Sequence, residues 1–160
     1  MANKGKYYES QFEEATIELL REAHWQYTLG DDIHRKYTDP LIEEDLRNFL
    51  AVQYKDKNLT TSEMDGIVAN LRNTGGQNDY YALRNAFLLY RDGYDFAYSD
   101  SRDNPFRMEY IDFEHPDHNI FRCVNQFVMG QGRENRRPDI LLFINGIPVC
   151  IIELKNPTKQ

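Results

Sequence analysis

No run of apolar residues in the 160-residue chain approaches the roughly 18 needed to cross a bilayer as a helix, and Met1 to Lys6 contain no apolar stretch that would direct secretion. A membrane role is therefore not expected, and a cytoplasmic location is. Cysteine is scarce: Cys123 and Cys150 each lie inside an apolar segment, which excludes a disulfide framework and a cysteine-built zinc cage and predicts buried thiols in a reducing compartment. Positive charge is also short. With 19 Lys and Arg against 26 Asp and Glu, the net charge of −7 argues against a protein that holds DNA through an overall basic surface, so any contact with phosphates must be local. There is no glycine-rich phosphate loop, no visible Ser-His-Asp set, no internal repeat and no low-complexity tract.

What is present fits one domain spanning residues 1–160, because a chain of this length with 41% hydrophobic residues can bury a core. Phe12, Ile17 and Leu20 recur at helical spacing between Tyr8 and His24, with acids crowding the first turns where the helix dipole favours them. Asp39-Pro40 reads as a helix start, predicting a helix from Leu41 to Tyr54. Thr60 followed by Glu63 is a capping-box pattern that opens a third helix toward Arg72, and a fourth is expected from Asp79 to Asp92, ended by Gly93. Beyond Gly93 the texture changes to short runs of aromatic and β-branched residues. Strands are expected near Arg107 to Phe113, Ile120 to Met129, Asp139 to Ile144 and Val149 to Leu154. Helices first and strands later predict an α+β fold, with helices packed on a mixed, largely antiparallel sheet.

The densest information lies in Arg137-Pro138-Asp139, the apolar run Ile140 to Ile144, Asn145-Gly146, the apolar run Ile147 to Ile152, and Glu153-Leu154-Lys155. Two apolar strands are joined at Asn-Gly, and Asp139, Glu153 and Lys155 all fall at the open end of one hairpin. Alternation along a strand puts Glu153 and Lys155 on the same face. Apolar strands need no acids there for packing, and two nearby carboxylates repel unless a positive charge lies between them. Such a pair can share a hard divalent cation, and Mg²⁺ is the expected one. Lys155, beside two acids, should remain protonated and stabilise transition-state charge or position water. Register decides whether the acids meet. A plain two-residue turn would set Asp139 opposite Ile152 and separate it from Glu153; a three-residue loop, with Gly146 left-handed in a bulge, would set Phe143 opposite Ile147 and Asp139 opposite Ile151, leaving the acids diagonal. The bulged loop is the expectation. Arg133, Arg136 and Arg137 before Asp139, with Lys159 beyond Lys155, form the expected local basic patch for DNA; an ordinary solvated loop is the alternative.

At this hairpin the sequence resembles the PD-(D/E)xK nuclease superfamily, through Pro138-Asp139 and Glu153-Leu154-Lys155. More narrowly, it resembles the amino-terminal domain of the restriction (R) subunit of type I restriction-modification enzymes. That likeness is carried by residues 137–157 together with Ile111-Asp112-Phe113, Asn119 and Asn125-Gln126-Phe127. The resemblance implies a restriction-endonuclease-like core and a Mg²⁺-dependent endonuclease that cuts double-stranded DNA. It also implies a longer polypeptide with ATP-driven motor domains, assembled with methylation and specificity subunits. In such folds an acid on the first helix often completes the metal site, a role that the match to Glu9-Ser10-Gln11-Phe12-Glu13 gives to Glu13 ahead of Glu9. Family members carry a following helix with a Gln and a Tyr near the site. The sequence stops at Gln160, so the chain is expected to be a fragment that need not cut by itself.

Two rival readings stay open: another nuclease on the same core, for repair or junction resolution, and a non-catalytic docking module that keeps the hairpin for packing. His115-Pro116-Asp117-His118, with Asp112 and Glu114 nearby, is expected to be a turn between strands rather than a metal cluster. The tyrosines and Trp25 are expected to serve core and helix contacts rather than base stacking.

Overall fold

A computed structural model describes residues 9–74, 78–130 and 135–155. The fold is α+β, with four helices, a four-stranded mixed sheet and a two-stranded ribbon among the described residues. The chain divides into two compact units, one made of residues 1–42 and 120–160, the other of Glu43–Asn119.

The first unit holds helix α1 (Glu9–Glu22) and strand β1 (Gln26–Leu29). The α1 span agrees with the apolar spacing of Phe12, Ile17 and Leu20. Its end is marked by His24, whose φ of 66° turns the chain into β1. The second unit follows. It contains α2 (Glu43–Gln53), α3 (Thr61–Arg72), α4 (Asp79–Asp92), β2 (Tyr94–Phe96) and β3 (Phe106–Met108), the last two paired antiparallel. The chain then returns to the first unit as β4 (Phe121–Asn125), β5 (Ile140–Ile144) and β6 (Ile147–Ile152).

The four-stranded sheet runs β1-β4-β5-β6. The later strands pair antiparallel as expected, but only β5 and β6 are joined by a short connection, since β4 and β5 are linked by residues 126–139; β1 lies parallel to β4 with Gln26 level with Arg122. The two faces bury different clusters. Ile17, Cys123 and Ile140 form one core, joined by Leu20, Trp25, Leu142, Ile152 and Leu154; Ile42, Val124, Phe127, Leu141 and Phe143 form the other. This assignment follows the period of two: residues 140 and 142 face one way, 141 and 143 the other.

Several local expectations hold. Thr60 accepts from the Glu63 amide while Glu63 accepts from the Thr60 amide, so the capping box is complete. Asn78 caps α4, and Gly93, at φ 64°, ends it. The Asp39 side chain accepts from the Leu41 amide at 3.1 Å, yet helix α2 begins only at Glu43, so Asp39-Pro40 caps a turn rather than the helix. Trp25 packs against Phe121 with ring centroids 5.1 Å apart, a core contact as expected. Other expectations fail: the strands expected over Arg107 to Phe113 and Ile120 to Met129 are only Phe106–Met108 and Phe121–Asn125, and one thiol is not buried. Cys123 is buried but Cys150 is exposed, because β6 is the edge strand of the sheet and residues 149–151 face outward.

Candidate active site

The hairpin closes differently from the expected three-residue loop. Ile144 pairs with Ile147, leaving Asn145 and Gly146 as a two-residue turn with φ of 51° and 75°. Both values are positive, the type I′ geometry that Asn-Gly favours in tight hairpins. The turn is held from both sides: the buried Asn145 accepts from the Ile120 amide through its side chain at 2.7 Å, and the Gly146 carbonyl accepts from the Ile42 amide at 2.9 Å.

The bulge sits further along. Phe143 pairs with Pro148 but its neighbour Leu142 pairs with Cys150, so Val149 is an extra residue on β6. From there the register runs Leu141 to Ile151 and Ile140 to Ile152. The next step beyond the ladder sets Asp139 level with Glu153, where an unbulged turn would have set it level with Ile152. A bulge at Val149 thus does what the predicted bulge at Gly146 was expected to do, and puts the acids directly opposite instead of diagonal.

Asp139 is half-buried just outside the ladder, and its Oδ2 accepts the Leu154 backbone N–H at 2.7 Å. Its own carbonyl accepts the Gln126 amide at 3.2 Å. The residue is tied to β4 on one side and to the end of β6 on the other. On β6 the exposure alternates: Glu153 exposed, Leu154 half-buried against the α1-facing core, Lys155 exposed. Glu153 and Lys155 therefore share a side, as expected.

Glu13 reaches the same end of the sheet from α1. Its Oε1 accepts from Asn125 Nδ2 at 2.9 Å, Tyr27 donates its hydroxyl to Asn125 Oδ1 at 2.9 Å, and Asn125 pairs with Ile140, next to Asp139. Asn125 and Tyr27 thus position the Glu13 carboxylate; the paired Asn125-Gln126 text gave a signal for the first, and no local pattern marked the second. Glu13, Asp139 and Glu153 do not converge as ligands: among the described residues, the three-residue group whose ligand atoms lie within 4.8 Å of one another is Asp112, His115 and His118. The site end is also where the basic residues lie. Arg136 and Arg137 are exposed, and Arg136 is fixed by a two-way backbone bridge to Met129 at 2.7 Å. Arg133 and Lys159, and the side chain of Glu9, lie outside the described residues.

These observations frame the comparison with known proteins. Residues 6–160 match the family described as the type I restriction enzyme R protein N terminus. The chain is similar to the type I restriction enzyme HindI endonuclease subunit of Haemophilus influenzae, with 28% identity over 162 residues, 95% of this chain and 15% of that protein. It is likewise similar to the putative type I restriction enzyme MjaIXP endonuclease subunit of Methanocaldococcus jannaschii, with 28% identity over 156 residues, 92% of this chain and 15% of that protein. A shorter match, 39% identical over 67 residues, covers 42% of this chain and 6% of the putative MjaVIIP endonuclease subunit of the same organism. The chain spans about 15% of the length of the first two relatives. With nearly its whole length matched, the chain belongs to the type I restriction enzyme R protein N-terminus family.

Proposed function

We propose that this chain is a single nuclease domain, a fragment of a longer polypeptide, that cleaves double-stranded DNA as part of an ATP-dependent type I restriction enzyme working in the cytoplasm. The observation that carries the reading is the register shift at Val149, which sets Asp139 level with Glu153 and leaves Lys155 two residues further on the same side.

The donor set fits Mg²⁺. Asp139 and Glu153 offer hard carboxylate oxygens, and Asp139 uses only Oδ2 for Leu154, leaving Oδ1 without a partner among the described residues. Glu13, held by Asn125, is the third acid at this end of the sheet. When bound there, the ion would lower the pKa of an attacking water and neutralise charge on the phosphate oxygens. Lys155, exposed and beside the acids, stabilises the negative charge that builds on the phosphate as the P–O bond breaks. Arg136 and Arg137 hold the flanking phosphates, with Arg133 and Lys159 assigned to the same task. The backbone bond from Leu154 fixes the Asp139 carboxylate in place before substrate arrives.

ATP belongs to motor domains outside this chain, and methylation and specificity subunits are the partners of the assembled enzyme. The test uses the longer natural polypeptide with its partner subunits, ATP, Mg²⁺ and plasmid DNA. Lys155→Ala is expected to abolish plasmid cleavage while ATP hydrolysis continues. Equal cleavage by both forms would reject the nuclease reading in favour of a docking module on the same fold.

A further inference from the structure

The segment after β3 folds around one buried side chain. Asp112, 5% exposed, accepts the amides of Glu114 at 3.1 Å and His115 at 2.8 Å through Oδ1. Asn119 locks the same loop, accepting the Asp112 amide at 2.9 Å and donating to the Asp112 carbonyl at 2.7 Å and the Pro116 carbonyl at 3.0 Å. Residues Pro116–His118 form a short 3-10 helix, so the turn expected from the sequence is there.

The turn also aims two imidazoles at one oxygen. His118 Nδ1 lies 3.1 Å and His115 Nδ1 3.6 Å from Asp112 Oδ2. The rings stack with centroids 4.9 Å apart and planes inclined by 18°, and the three ligand atoms fall within 4.8 Å of one another. Gln53 Nε2 donates to the same Oδ2 at 3.1 Å. Hydrogen bonds alone account poorly for this. A carboxylate oxygen has two lone pairs, which Gln53 and His118 fill, while His115 Nδ1, at 3.6 Å, is aimed at the same oxygen from beyond hydrogen-bond distance.

We propose that Asp112, His115 and His118 form a binding site for a divalent transition-metal ion of the zinc class. Ligands about 2.0–2.1 Å from a tetrahedral ion lie roughly 3.3–3.4 Å from each other, a separation that falls between the observed 3.1 and 3.6 Å. One ion would take the place of the single proton between His118 and Oδ2 and would give His115 Nδ1, too far for a hydrogen bond, a partner at the same centre. Two neutral imidazoles and one carboxylate suit zinc, nickel or cobalt, and not Mg²⁺, which prefers oxygen and several waters. The outer contacts are in place as well: the Asp112 carboxylate is oriented by Gln53 and two amides, and the loop by Asn119. Both histidine side chains are more than half exposed, at 60% and 51%, so the remaining coordination position opens to water. The site uses none of the residues assigned to DNA cleavage and stands or falls separately from that reading.

Zn²⁺ titrated calorimetrically into the chain is expected to bind at one ion per chain with micromolar or tighter affinity. His115→Ala and His118→Ala should each weaken it at least tenfold, while the Asp139→Asn, Glu153→Gln double variant leaves it unchanged. Since both histidines are exposed, circular dichroism should show the fold intact in their variants. In the unaltered chain, imidazole nitrogen NMR should show Zn²⁺ shifting the Nδ1 signals of both histidines and leaving Nε2 protonated. No binding, binding unaffected by either histidine substitution, or binding lost in the Asp139→Asn, Glu153→Gln variant would overturn the proposal.

Discussion

Leu154 donates its backbone N–H to Asp139 Oδ2 at 2.7 Å, so the acid that opens one strand of the hairpin is gripped by the residue between the acid and the lysine that follow the other. The contact gives Asp139 two separable jobs. One is to accept a hydrogen bond; the other is to be charged.

Asp139→Asn keeps an acceptor for Leu154 and removes the charge, whereas Asp139→Ala removes both. The Ala variant is expected to lose about 1–2 kcal/mol of stability, the cost of leaving a partly buried amide without its acceptor. The Asn variant should lose under about 0.5 kcal/mol by the same principle. DNA cleavage by the longer polypeptide should vanish in both. Denaturant unfolding beside a plasmid assay checks this, and an Asn variant that cleaves normally would remove Asp139 from the site.

Deleting Val149 tests what the bulge contributes. With Pro148 and Cys150 then adjacent, Phe143 still pairs with Pro148 and Leu142 with Cys150 in a regular ladder, so Asp139 stays level with Glu153. The β5–β6 pairing should keep its register and lose only the local kink and added twist of the bulge. Cleavage by the longer polypeptide should therefore survive the deletion. Cross-strand amide contacts by NMR check the register, and a deleted chain that pairs Leu142 with Ile151 would contradict it.

The sequence makes the elements that depend on local chemistry legible. The Thr60–Glu63 box and the Gly93 stop each reflect an interaction within a few residues and appear where expected, whereas the hairpin reverses at Asn-Gly through a two-residue turn instead of the expected three-residue loop. Strand β1 is not legible locally because its pairing is with β4, 96 residues away from Gln26 to Arg122, and four residues, the first exposed and the other three half-buried, carry little periodicity. The bulge was legible as a need but not as a place. Once Asp139 and Glu153 had to share a face, one extra residue was required somewhere; Gly146 suggested the turn, yet Asn-Gly is satisfied by the two-residue type I′ geometry, and the shift falls at Val149 beside Pro148, which lacks an N–H for the ladder. The bonds that Asn125 makes with Glu13 and with Tyr27 span 112 and 98 residues, beyond any local pattern.

Two glycines should respond to alanine in opposite directions. At Gly93, with φ 64°, a Cβ would lie 2.0 Å from the Met108 carbonyl oxygen, a backbone atom held by β3. Gly93→Ala is expected to cost about 3 kcal/mol or more, combining strain at positive φ with the clash. At Gly66, inside α3, a Cβ meets nothing within 4 Å, so Gly66→Ala should stabilise by about 0.5–1 kcal/mol through helix propensity. Thermal unfolding of the two variants reads both signs.

The two thiols should differ sharply in reactivity. Cys150 is exposed on the edge strand, while Cys123 is buried and burial pushes its thiol above the ordinary value. A disulfide reagent added to the native chain at neutral pH should modify one thiol rapidly, and Cys150→Ser should abolish that phase. Cys123 should react only on unfolding. Two fast equivalents in the native chain would contradict the buried placement of Cys123.

Glu63 offers the pH test. Arg102 grips it with two parallel bonds, Nη2 to Oε2 at 2.6 Å and Nη1 to Oε1 at 2.9 Å, and the Thr60 amide donates to Oε2 at 2.9 Å. The Arg102 guanidinium first, and then the Thr60 amide, lower the Glu63 carboxyl from an ordinary 4.5 to about 2. A carboxyl with a depressed folded-state pKa binds its proton more readily when unfolded. Its stabilisation is therefore fully present above pH 4.5 and is lost as pH falls toward 2. Glu63→Gln keeps the size and an acceptor for Thr60 but has no charge to lose. The stability gap between the unaltered chain and Glu63→Gln should be constant from pH 7 to about pH 5 and then close progressively in more acid solution. Because the other acids are common to both proteins, their titration cancels in the difference. Urea unfolding midpoints of the two chains, measured in parallel across this range, decide it: a gap that stays constant down to about pH 3 would mean that the Arg102 contact does not hold Glu63 ionised.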